Sequence, residues 1–291
     1  MTRVAPRGQK TAVRSAACWP TLVLVLVLVL WASLACAGAS TAPTVSPAGP
    51  EVPENLLRIE LRFDSALRQP FDLRHVKLLD ARGAVIEAPF LDLPLRGRDG
   101  RTITLLLHPG RIKTGVAPNL ALGPVLHAGE TVTLVVDGPA VGLPLRASLR
   151  KTWVVTAALR QPIDPSAWRF EPPSAGSLAP LQVVLDRPLT AGALHWLAIA
   201  DAQGRWLAGS ARMNDDELRW QFTPAWPWRA GAHSLRVHPA LEDVAGNRLC
   251  AAFEQATLSA VDCRTGGERP FQVRPVETRL VRWHSGRRLS R

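Results

Sequence analysis

The stretch HVKLLDARGAVIEA, residues 75–88, returns at residues 196–209 as WLAIADAQGRWLAG. Each copy reads as an apolar strand, a D-A-x-G turn and a second short strand, the pattern of an antiparallel unit. Outward from this core the likeness continues in the same order. TITLLLHP (102–109) answers LRWQFTP (218–224), and LHAGETVTLVV (126–136) answers WRAGAHSLRV (228–237). The distance between matching residues shrinks along the chain. Two copies of one unit are therefore expected, the first lengthened by extra loop residues in GRIKTGVAPNLALGPV (110–125).

Period-2 alternation fills both copies. In LLRIELRFD (56–64), Leu57, Ile59, Leu61 and Phe63 face one way, while Arg58, Glu60, Arg62 and Asp64 face the other. HVKLLD, TITLLLH, TVTLVVD, KTWVVT, LQVVLD, LRWQFT, HSLRVH and PFQV repeat the pattern, and no comparable stretch carries a helical period. Short strands separated by Gly, Pro and Asp turns indicate an all-β chain of two tandem antiparallel β-sandwich domains. Their expected limits are residues 55–160 and 161–276, with a proline-stiffened join over 161–175.

The N-terminus sets the compartment. Arg3, Arg7, Lys10 and Arg14 precede the apolar run TLVLVLVLVL (21–30), which gives a signal peptide over residues 1–35. SLAC, ending at Cys36, matches a lipoprotein cleavage site with Ser33 where that motif prefers Leu. Ala35 and Ala37 also form an A-x-A site. Lipidation of Cys36, release as a free protein and an uncleaved anchor all remain open at this point. The next residues, 36–54, are rich in Ser, Thr and Pro and read as an extended tether. Removal of residues 1–35 lowers the formal charge from +11 to +7, and eight Arg against two Glu in residues 264–291 account for +6 of that. The middle of the chain is nearly neutral, so nucleic-acid binding is not expected despite a sequence pI of about 10.9. The expected location is the bacterial cell envelope, as an outer-membrane lipoprotein or a periplasmic protein. Residues 277–291 form a basic tail.

The strand plan, the D-A-x-G turns and above all LEDVAGNRL (241–249) resemble the bacterial Ig-like domain of surface-layer proteins and many envelope lipoproteins. The first copy departs from it, with GPAVGLPL in place of the closing turn. PGRIKTG and AWRFEPP also resemble secreted proteins built from the same pair of domains. The resemblance implies a non-enzymatic scaffold, spacer or adhesion module, without a cofactor, and implies no substrate.

Candidate chemistry is sparse. GRIKTG (110–115) places Lys113 and Thr114 before the second Gly, where they cannot serve a phosphate loop. Arg111 and Lys113 could meet an anionic glycan or headgroup. His233 and His238 are expected to point to opposite faces, and no zinc-like spacing stands near His108 or His127. Glu242, Asp243 and Asn247 offer oxygens of the kind calcium prefers, or else a tight turn closed by Gly246. Cys250 and Cys263 are expected to form a disulfide in an oxidising envelope. Six of ten Trp lie in the second copy. Trp220 alternates into the core and packing is the first reading for the others, with Trp206, Trp226 and Trp228 the candidates for an exposed binding face. Two functions stay open: an envelope spacer or binding protein with the membrane and an unknown envelope protein or glycan as partners, and a carbohydrate-recognising module or accessory subunit of an envelope enzyme.

Overall fold

The computed structural model describes residues 43–138, 148–254 and 265–275. The expected signal peptide, lipidation at Cys36, Cys263 and the basic tail lie outside the described residues. The first sandwich contains β1 (Thr44–Ser46), β2 (Glu51–Pro53), β3 (Arg58–Arg62), β4 (Val76–Leu79), β5 (Leu95–Arg96), β6 (Thr102–Leu106), β7 (Thr131–Val136) and β8 (Leu149–Thr156). One sheet has the order β1-β3-β6-β5, the other β2-β8-β7-β4. The alternation read in the sequence decides which side chains meet between them. Ile59, Leu61, Ile103 and Leu105 come from one sheet, and Leu78, Leu134 and Trp153 from the other. Burying each such side chain contributes about 1.5–3 kcal/mol.

The second sandwich repeats the plan. β9 (Arg169–Glu171), β10 (Leu181–Val184), β12 (Gly209–Met213) and β13 (Arg219–Pro224) form a sheet of order β9-β10-β13-β12. β11 (Leu197–Asp201), β14 (Gly231–Val237) and β15 (Gly267–Val273) form the facing sheet. Leu181, Val183, Ile199, Trp220, Phe222 and Leu235 fill a separate core. In both copies a four-stranded sheet faces a second sheet, of four strands in the first sandwich and three in the second, in the manner of an immunoglobulin-type sandwich. The chain is all-β with Ig-like sandwich architecture.

Three sequence readings require correction. Residues 44–53 are not tether, because β1 pairs with β3 and β2 runs parallel to β8, with Glu51 opposite Val154. Short strands broken by Pro47 and Pro50 carry little periodicity, and partner strands rather than local sequence make them β. Trp153 holds the crossing between sheets by donating from Nε1 to Pro47 O at 2.9 Å. Secondly, the D-A-x-G turns close as expected, but each hairpin lasts for a single bridge, Leu79 to Val85 and Ala200 to Trp206. Asp80 Oδ1 accepts from Arg82 N and Ala84 N, and Asp201 Oδ1 accepts from Gln203 N and Arg205 N. The chain then crosses to the opposite sheet. Thirdly, the insertion is no plain loop, since it folds into α1 (Pro109–Ile112) and α2 (Ala117–Leu122).

Candidate functional site

The insertion is organised around Arg111, which is 4% exposed. Its guanidinium donates to five main-chain oxygens, those of Glu87, Ala88, Leu122, Gly123 and Pro124. Burial lowers its pKa from the usual range. Arg111 is therefore a structural pin and not a ligand residue, because the turns around it leave carbonyls that no strand satisfies. Lys113 is half-buried with Nζ 4.7 Å from the Phe253 ring centroid.

LEDVAGNRL forms the contact between the two sandwiches. Val244 is 1% exposed and belongs to the core of the first sandwich, although it lies in the second repeat. Leu57 N donates to Val244 O at 2.9 Å. Glu242 takes Arg58 Nη2 from the first sandwich on one oxygen and Arg248 Nε at 2.8 Å on the other. Leu159 O accepts from both Asn55 Nδ2 and Asn247 Nδ2, each at 2.9 Å. Gly246 has φ +81°, and a Cβ there would lie 2.5 Å from Leu57 Cδ2. This turn clasps one sandwich to the other.

The same geometry answers the calcium reading. Asp243 is fully buried, and its oxygens accept from Ala245 N, Asn247 N and Asn247 Nδ2, each at 2.9 Å, with Arg187 Nη1 at 3.4 Å. Burial raises its pKa despite these donors. Glu242, Asp243 and Asn247 are thus occupied by internal partners and correct the candidate metal set. Among the described residues, no group of three His, Cys, Asp or Glu could hold a metal ion. Cys250 is described, whereas the expected bridge depends on Cys263, outside the described residues.

A second contact lies across a cleft of about 950 Å³ between the sandwiches. Glu217, in the turn between β12 and β13, accepts from Ala48 N at 3.0 Å, and Lys151 Nζ donates to Ala48 O at 2.6 Å. Glu60 faces the same cleft. Burial raises the pKa of both carboxyls, and the charge of Glu217 raises that of Glu60 further.

The tryptophans divide. Trp228 is 2% exposed, which removes it from the candidates for an exposed face. After the Pro227 corner its ring turns edge-on to Phe222, His233 and Phe271, and Nε1 donates to Ala179 O at 2.9 Å. Trp206 and Trp226 are 67% and 78% exposed and line one groove of about 660 Å³, with Gln203, Arg205 and Arg229. β11 and β13 run toward this groove and β14 runs away from it toward the clasp. Groove and clasp therefore occupy opposite ends of the second sandwich. Nothing in the sequence distinguished Trp228 from its neighbours, because a proline corner can turn the next indole either way.

No protein-family model matches the chain, and no curated protein matches it. Solved structures share its architecture only distantly. CopC from Methylosinus trichosporium OB3b is 12% identical, over 38% of this chain and 89% of that one, with a TM-score of 0.26. The titin Ig tandem domains A164–A165 are 11% identical, over 82% of this chain and 98% of that one, with a TM-score of 0.24. Domains 5–6 of the S-layer protein SbsC are 10% identical, over 82% of this chain and 99% of that one, with a TM-score of 0.23. Likeness at this level carries no argument, and the Ig-like assignment rests on strand order and register.

Proposed function

We propose that this chain is an exported, non-enzymatic spacer and binding module of the bacterial cell envelope, anchored through a lipid on Cys36. The observation that carries the reading is the clasp. Burying Val244 in the neighbouring core, with Glu242 shared between Arg58 and Arg248, resists bending between the sandwiches. Two sandwiches that bend little against each other suit a protein that holds a surface at a set distance from its anchor. The anchor would precede the first sandwich in the chain, and the Trp206–Trp226 groove opens at the far end of the second. The basic leader and the A-x-A and SLAC sites support export and anchoring. A Cys250–Cys263 bridge would fit that compartment and close the loop before β15.

The intact mass of the protein from membrane and soluble fractions of its host, taken without reductant, tests this. The expected species begins at Cys36, carries acyl groups and gains two hydrogens on reduction. A species beginning at Gly38 without lipid would remove the anchor and leave export standing. A full-length chain with Met1, recovered from the cytoplasm, would overturn the envelope reading.

A further inference from the structure

The groove at the tip of the second sandwich exposes two indoles that packing could have covered. An indole buries up to about 250 Å² when covered, and two exposed in one groove make an apolar surface of the kind that marks a binding site. Their exposure is imposed by fixed backbone on both flanks. Trp206 forms a bridge with Ala200, and Leu207 N donates to Ile199 O at 2.8 Å. Ala225 N donates to Ala208 O at 2.8 Å just before Trp226, and Pro227 and the buried Trp228 follow it. Neither segment has slack with which to fold its ring inward.

The charges of the groove are asymmetric. Arg205 is held by Asp201 at 2.8 Å, which cancels its charge locally. Arg229 is exposed, lines the groove and has no hydrogen-bond or ion-pair partner among the described residues. The groove thus combines two flat apolar faces, the amide of Gln203, the paired guanidinium of Arg205 and one uncompensated positive charge. A protein partner would match a continuous apolar patch, whereas here polar Gln203 and Arg205 share the lining with the indoles. A sugar ring has the complementary surface, with apolar C–H faces and hydroxyl edges.

We propose that the groove binds an anionic polysaccharide, its pyranose rings lying on Trp206 and Trp226 and its acidic group taken by Arg229. The volume of about 660 Å³ suits a short stretch of such a chain. Guanidinium favours planar oxyanions such as uronate carboxylates and sulfates. The proposal rests on the reading of the chain as a binding module and names what it binds.

The test uses the mature chain from Cys36 onward, without lipid, titrated with polygalacturonate, heparin and neutral dextran while Trp fluorescence is followed. Saturable binding to one or both acidic polymers is expected, with dextran weaker. Trp206→Ala and Trp226→Ala should each weaken binding about tenfold. Arg229→Gln should weaken the acidic polymers about fivefold and leave dextran unchanged. All three side chains are exposed, so melting temperatures of the variants should match the parent and exclude misfolding. No response to any of the three polymers, or binding that survives in the Trp206→Ala/Trp226→Ala protein, overturns the proposal. Equal binding of dextran that ignores Arg229→Gln overturns the acidic assignment. These outcomes are independent of the mass measurement, so loss of the export reading and loss of the glycan site are distinguishable.

Discussion

Arg111 and Asp243 illustrate how chemistry at the scale of one residue is settled by its partners. Both carry charge in sequence contexts that suggest ligands, and both use it on their own main chain. Replacing Arg111 by Met would leave several buried carbonyls unpaired, each costing about 1–3 kcal/mol. The Arg111→Met protein should lose at least about 2 kcal/mol in urea unfolding, with no change in binding at the distant groove. Residue types narrow the options in such cases without choosing among them. A buried guanidinium and a solvated one share a one-letter code, and Trp226 and Trp228 differ only by which side of Pro227 they stand on.

At the scale of elements, strand formation follows from period-2 patterning wherever a strand is long enough to display it. β3, β6, β7 and β13 alternate buried and less buried positions without interruption. β1 and β2 escape such a reading, since three residues flanked by proline show no period and are made β by β3 and β8. The turn between β12 and β13 carries a further consequence. Glu60 and Glu217 are half-buried beside each other's sandwich, with Arg58, Lys151 and Asp216 as their charged neighbours. A carboxyl with a raised folded-state pKa adds stability that is complete below its unfolded value of 4.5 and is lost as pH rises through the folded value. The carboxyls of Asp99, Asp164 and Asp201, whose pKa values are lowered, act only below their ordinary value of 3.8. The parent should therefore gain more melting temperature than Glu217→Gln on going from pH 7 to pH 5. The amide keeps an acceptor for Ala48 N while removing the titration. Equal pH responses in the two proteins would refute the assignment.

At the scale of the whole molecule, the clasp makes two sequence repeats into one mechanical unit. Val244 closes the first core from the second repeat, and Phe253 packs beside it. The parent should unfold in a single transition by calorimetry. Val244→Asp places a charge in that core, and the expected result is two separated transitions, the first sandwich melting earlier. Persistence of one transition at an unchanged temperature would show that the sandwiches are not coupled there. The sequence alone determined the all-β class and the repeated sandwich plan, because alternation and turn residues act between near neighbours and leave a local record. It could also show two Asp-Gly turns, Asp80 to Gly83 and Asp201 to Gly204, since each closes on its own backbone. Only the tertiary structure decided that residues 44–46 and 51–53 are strands, that Arg111 is pinned, that Trp228 is buried while Trp226 is not, and that LEDVAGNRL clasps two domains. Each of those outcomes depends on partners far away in the chain, such as Leu57 for Val244 and Ala179 for Trp228. Local pattern holds no trace of which distant surface will arrive, and burial, which assigns a side chain its role, is a property of that arrival.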